Sequence, residues 1–212
     1  MEGELLHYTD ETHMDPAREY EPAPVQRFGK PRGLWFACGN AWKAWCDENG
    51  YSTGGMHAPP WHVHVSRPEH VCVLRTVAEF DAFCIRYGFI EHGVRAAGPY
   101  CRLPVHPVHL LPLDEKFPDD IRQAAADRST DWFGEFDAYN AWRQARTEAT
   151  GRELPFEMDW PAVQKAYAGL VVAPYLYERR HVRWYYGWDV ASGVLWDLPR
   201  AGVSFTRASA DA

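Results

Sequence analysis

No stretch of about 18 or more apolar residues occurs in this 212-residue chain, so no transmembrane helix is expected. The opening Met1-Glu2-Gly3-Glu4 is acidic, and no apolar signal core follows it. Cysteine is sparse: Cys38, Cys46, Cys72, Cys84 and Cys101 are scattered, odd in number and include no Cys-x-x-Cys pair. That argues against a disulfide framework and for a reducing, cytoplasmic setting. Positive charge is in deficit. With 22 Lys and Arg against 29 Asp and Glu, the net charge is -7, which disfavours a strongly basic, sequence-independent nucleic-acid binder. A local basic patch on a nucleic-acid-modifying enzyme is compatible with that charge. The chain has no Gly-x-x-x-x-Gly-Lys loop, no Gly-x-Gly-x-x-Gly fingerprint and no Gly-x-Ser-x-Gly elbow. Internal repeats and low-complexity tracts are also lacking.

What is abundant is aromatic and apolar. Hydrophobic residues make up 46% and aromatics 15%, with 10 Trp, enough for a core and for ring-stacking pockets. The length suits a single domain spanning 1–212.

Residues 4–9 read as a short strand lying inside a sheet, and 10–28 as a charged, Pro-containing loop. Lys30-Pro31-Arg32-Gly33 is a turn, and Leu34–Ala37 a short buried strand. Asn40 is placed to cap a helix carrying Trp42, Trp45 and Cys46, which Asn49-Gly50 closes. Residues 51–69, rich in Gly, Pro and His, read as a loop, and Val71–Arg75 as a strand.

Thr76 to Glu79 has the spacing of a capping box. Phe80, Phe83, Cys84 and Tyr87 then mark one helical face, ended by Gly88. An irregular and helical insertion is expected over about 89–158, including a helix at 132–149 with Phe133, Phe136, Tyr139 and Trp142 inward. Asp159 caps a helix through Tyr167, and Gly169 leads into a strand at Leu170–Ala173. Tyr175–Glu178, Trp184–Gly187 and Gly193–Leu198 read as further strands, and 205–212 as a polar tail. Strands and helices do not alternate regularly, which argues an α+β fold rather than a doubly wound parallel sheet.

Two N-terminal segments carry the chemistry. One is Leu6-His7-Tyr8-Thr9. The other runs from Lys30 through Gly33-Leu34-Trp35-Phe36-Ala37 to Asn40, followed by the helix carrying Trp42, Trp45 and Cys46. Together they resemble the NAD site of the ADP-ribosyltransferase superfamily of His-Tyr-Glu type, the group of diphtheria toxin and the poly(ADP-ribose) polymerases, with Trp35 in the Tyr position.

The resemblance implies a split, mostly antiparallel β core flanked by helices, with NAD as substrate. It implies a cofactor site of His7, Tyr8, Thr9, Gly33, Leu34, Trp35 and Trp42. His7 would hold the adenosine-side ribose. The Gly33 backbone would grip the carboxamide, because a strand-edge glycine admits close approach. Tyr8, Trp35 or Trp42 would stack on the nicotinamide. The family's late strand, which begins with a catalytic Glu, is matched by the segment Trp188 to Asp197 with its strand at Gly193–Leu198, so that Ser192 stands in the Glu position. Asp189, with Ser192, is the expected catalytic pair, and Glu178 is the next carboxylate. The implied activity is mono-ADP-ribosyl transfer to a macromolecular acceptor, protein or nucleic acid.

Other readings stand beside these. The same fold without the missing Glu would make a non-catalytic binding module. His57, His62, His64, His70 and Cys72 are the densest metal-competent cluster, and would suit a zinc-dependent hydrolase although their spacing matches no common zinc pattern. His106 and His109 form a weaker pair. Cys38 before Gly39 sits where a helix N-terminus would favour a thiolate. On the bland side, His7 suits a satisfied strand histidine, the tryptophans suit a core, and Trp188–Asp197 suits a plain turn and strand.

Overall fold

The computed structural model describes residues 3–20, 30–51, 58–92, 101–104, 157–180 and 182–208. Three expectations therefore lie outside the described residues: the helix at 132–149, His57, and the pair His106 and His109.

The fold is α+β. A seven-stranded sheet is built from β1 (Leu5–His7), β2 (Leu34–Cys38), β3 (Trp61–Val65), β4 (Val71–Leu74), β8 (Gly169–Val172), β9 (Ser192–Leu195) and β10 (Val203–Arg207), in the order β10-β3-β1-β2-β9-β8-β4. Every neighbouring pair in it is antiparallel except β4 with β8. A second sheet of three strands sets β5 (Gly88–His92) between β6 (Cys101–Pro104) and β7 (Glu157–Met158). The described helices are α1 (Ala41–Glu48), α2 (Val77–Tyr87), α3 (Trp160–Ala166) and α4 (Leu198–Ala201), with short 3-10 turns at Pro68–His70 and Tyr177–Arg179. No helix among the described residues is long and apolar enough to cross a membrane.

Local chemistry explains the helices. The Thr76 side chain accepts from Glu79 N–H while the Glu79 carboxylate accepts from Thr76 N–H, a completed capping box. Asp159 accepts from Ala162 N–H, with Pro161 in the first turn of α3, where its missing donor costs nothing. Asn40 makes no side-chain cap; its backbone is not extended, so the amide does not face the first turn.

Strand alternation sends side chains to two cores on opposite faces of the sheet. Leu5, Leu34, Phe36, Val63, Val171, Leu195 and Val203 bury one face beneath α4. Leu74, Leu170, Val172, Val194 and Trp196 bury the other against α2, α3 and an aromatic turn ending at Trp188. On that side Phe80 and Trp184 stack with centroids 4.9 Å apart, and Tyr185 OH accepts from Leu176 N–H.

Several sequence expectations are corrected. The 51–69 loop contains β3, whose Trp-His-Val-His-Val alternation pairs with β1 on one side and β10 on the other. The stretch from 89 contains β5 and β6, paired from Phe89–Pro104 to His92–Cys101. The polar tail begins inside β10, an edge strand whose outward residues are polar because solvent covers them. Tyr175–Glu178 and Trp184–Gly187 are not strands. Their aromatics close a turn over α2.

Gly193 shows how tightly the sheet centre is packed. A Cβ there would lie 2.5 Å from Phe36 Cζ, 2.8 Å from Val171 Cγ2 and 2.9 Å from the Leu170 carbonyl oxygen. Gly193→Ala is expected to destabilise the protein by about 1–3 kcal/mol through overpacking, read as a lowered urea midpoint. A midpoint equal to wild type would mean that the sheet has slack at this crossing.

Candidate functional site

Three sequence-distant segments meet where β1, β2 and β9 lie side by side. The antiparallel register sets Leu6 opposite Ala37 and Ala37 opposite Ser192. Two of these three side chains are small, so the row leaves space instead of filling it. A cavity of about 310 Å3 opens there. Leu6, His7 and Tyr8 line it from β1 and its exit, Trp35, Phe36 and Ala37 from β2, and Trp42 from α1. Lys30, Trp188, Val190 and Ser192 complete the described wall.

His7 Nδ1 lies 2.6 Å from the Trp35 carbonyl oxygen. A carbonyl only accepts, so Nδ1 carries the proton, and in the neutral ring Nε2 is left as an acceptor. Burial lowers the His7 pKa below its ordinary 6.5, against the opposing pull of the Trp35 hydrogen bond. The ring is therefore neutral near pH 7.

The unfolded chain takes up the proton first as pH falls below 6.5, so stability present above that pH is lost on the way down to the folded-state pKa and then levels off. Between about pH 7.5 and 5.5, the urea midpoint of wild type is expected to fall more steeply than that of His7→Asn. Parallel profiles would show that the imidazole is not the group responsible.

Aromatic rings form much of the wall. Trp35 meets Trp188 edge to face at 4.9 Å, and Lys30 Nζ lies 4.9 Å from the Trp35 ring centre. Trp35 thus already has two ring neighbours. Trp42 stacks on Trp45 at 5.2 Å and 11°, and Trp45 meets Tyr51 at 5.2 Å. Tyr51 is 60% exposed, so this aromatic run leads from the pocket wall to solvent.

The pocket brings together His7, Tyr8, Trp35, Trp42 and Ser192 from the residues expected from sequence. Thr9, Gly33, Leu34 and Asp189 are not in its described lining. Thr9 closes a local turn, its Oγ1 accepting from Glu11 N–H. Leu34 is buried in the core beneath α4. A Cβ on Gly33 would meet Val194 Cγ2 at 2.5 Å and the Leu195 carbonyl oxygen at 2.6 Å, so the close approach of β9 by itself calls for glycine there. Glu178 is exposed on the Tyr177–Arg179 turn.

Asp189 lies in the segment entering β9 with φ of 60°, a left-handed conformation that Asp tolerates better than most residues. Burial raises its pKa while the charge of Lys30 lowers it. Burial lowers the pKa of Lys30, and Asp189 opposes that. The two charges therefore sense each other. Ser192 is buried, and its Oγ–H donates to the Val190 carbonyl at 2.9 Å.

The alternatives fare differently. His62 lies 3.9 Å from Glu4, and His64 pairs with Thr206 Oγ1 at 2.8 Å. Cys72 packs against the α2-side core on β4, with four strands between it and β3 in sheet order. Among the described residues no group of three or more His, Cys, Asp or Glu side chains could hold a metal ion. The Cys38 thiol is pushed up by burial and stays protonated near neutral pH, which removes the advantage expected of its position.

Sequence reasoning missed Lys30, Trp188 and Val190. Lys30 and Trp188 each open one of the motif-like segments, Lys30 to Asn40 and Trp188 to Asp197, but neither was given a role in the site. Comparison with protein-family models, with curated proteins and with solved structures returns no match for this chain.

Proposed function

We propose that the chain is an NAD-dependent mono-ADP-ribosyltransferase whose dinucleotide binds across β1 and β2. One observation carries the reading. His7 and Trp35, motif residues 28 positions apart, are joined by a hydrogen bond at the wall of one cavity. Neutral His7 offers Nε2 to a hydroxyl of the adenosine-side ribose. Tyr8 and Trp42 flank the nicotinamide ring. The bond from ribose to nicotinamide breaks, and nicotinamide leaves with its electron pair. The acceptor's nucleophile bonds to the ribose carbon and gives up its proton to water. Charge building on the ribose ring calls for a nearby negative group, and Asp189, whose charge couples to that of Lys30 at the pocket, is the candidate.

Ser192 favours a second reading, a non-catalytic NAD-binding module on the same fold. It occupies the family's Glu position, and the described lining contains no carboxylate. Saturation-transfer NMR with NAD, together with chromatography of released nicotinamide, separates the two. For the transferase, wild type should contact NAD and release nicotinamide, and His7→Ala should weaken the contact by about tenfold or more. Contact without release supports the module. No contact with NAD overturns both readings.

A further inference from the structure

Tyr51 and Tyr177 are the two exposed large aromatic residues among the described residues, and each is 60% exposed. Tyr177 already carries a cation: the Arg180 guanidinium lies 3.8 Å from its ring centre. Tyr51 has no cation over its ring among the described residues. It instead ends the ring run Trp42–Trp45–Tyr51, whose inner member lines the pocket. An open ring face at the outer end of such a run attracts a cation, because the face of an aromatic ring is its negative side.

The charge around the run has the same sign. The last turn of α1 holds no basic residue, and its carboxyl end is the negative pole of the helix. Asp47 is neutralised by Lys43 at 2.6 Å. Glu48 is exposed and makes no ion pair among the described residues. It follows Trp45 by three residues, so the two stand side by side on the helix, and Trp45 in turn meets Tyr51. A free carboxylate is thus set close to an open ring. That carboxylate and the net charge of -7 oppose a nucleic-acid backbone and favour a cation. A guanidinium meets both groups best: its flat face stacks on a ring and its N–H fork fits a carboxylate, whereas an ammonium is a hydrated point charge.

We propose that Tyr51, Trp45 and Glu48 form an acceptor-docking surface beside the pocket, and that it holds an arginine side chain of a protein acceptor. The arginine is a handle that brings the acceptor to the pocket mouth through Trp42. The inference names the acceptor class of the transferase reading. Only the word acceptor rests on that reading, since the surface can be tested without NAD.

The test is saturation-transfer NMR and tryptophan-fluorescence titration of the full chain with acetyl-Gly-Arg-Arg-Gly-amide, its Lys counterpart and an oligothymidylate. Wild type should bind the Arg peptide more tightly than the Lys peptide, and more weakly at about 200 than at about 50 mM NaCl. Tyr51→Ala should weaken the Arg peptide by about two- to fivefold, and Glu48→Gln by a similar factor at the lower salt. The double variant should lose about tenfold. Tyr51→Phe keeps the ring and should stay within about twofold of wild type. Both positions are exposed, so urea midpoints should match wild type. Nicotinamide release from NAD should also be unchanged in the double variant, because neither position is in the described lining.

Arg-peptide binding that persists undiminished in the double variant overturns the surface, as does a wild type that does not bind the peptide. Tighter binding of oligothymidylate than of the Arg peptide also overturns it, and would make the ring run a platform for bases. The expected Arg-peptide pattern in a protein that makes no contact with NAD would uphold the surface and sink the transferase reading. NAD turnover by a protein that ignores the Arg peptide would do the reverse.

Discussion

Asp81→Ala is expected to destabilise the protein by about 3–5 kcal/mol, because it strands a buried guanidinium. Arg179 is 5% exposed, and its Nε and Nη2 donate to the two carboxylate oxygens of Asp81, each at 2.7 Å. This is the two-pronged geometry in which a carboxylate and a guanidinium satisfy each other best. The other recorded partner of Arg179, the carbonyl of Glu178 at 3.4 Å, is a weak substitute.

The two ends of the pair differ. The Asp81 side chain is 26% exposed, against 6% for that of Arg179. Arg179→Met should therefore cost less than Asp81→Ala, since the remaining carboxylate can be hydrated while the remaining guanidinium cannot. The double variant should cost clearly less than the sum of the singles. Urea unfolding of the three variants measures all of this, and an Asp81→Ala cost under about 1 kcal/mol would place the pair among solvated surface bridges. The pair links α2 to the aromatic turn that ends at Trp188.

The second large effect is a gain. Ser192→Glu is expected to raise the rate of nicotinamide release from NAD by about 100-fold, the scale on which one well-placed electrostatic group acts on a developing charge. Ser192 lies opposite Ala37 across β2 and β9 and lines a cavity of about 310 Å3, so the longer side chain has an opening to grow into. Ser192→Gln adds nearly the same volume without the charge and should leave the rate unchanged. Equal rates for wild type, Ser192→Glu and Ser192→Gln, with NAD bound in all three, would mean that the scissile bond lies elsewhere in the pocket.

Much of the α2 helix could be read directly, since Thr76, Glu79 and the Phe80–Tyr87 stripe are local signals: a cap bonds within a turn, and a stripe repeats every turn. The same holds for α3 behind Asp159 and for the strand body of β2. Illegible segments were those whose form depends on distant neighbours. Trp61–Val65 carries histidines on its outer face, and only β1 and β10, from opposite ends of the chain, make it a strand. Tyr175 to Gly187 looks like strand material because aromatics favour sheets, but its rings are claimed by α2 and α3 and by the Arg179 pair.

The candidate site divides the same way. His7, Tyr8, Trp35, Trp42 and Ser192 were identifiable from residue type and order. Gly33 lies outside the described lining, and a glycine called for by a neighbouring strand looks identical in sequence to one called for by a ligand.

The amino-acid order alone determined the capped helices α2 and α3 and the body of β2, and which residue types stand at the candidate positions, because caps, periodicity and turns act over a few residues. Only the tertiary structure decided that Leu6, Ala37 and Ser192 form one row, that Lys30 and Trp188 border the same ring, and that Asp189 stands outside the described lining. Those relations join residues tens to nearly two hundred positions apart. They come into being when strands pair and cores close, and no local propensity encodes them.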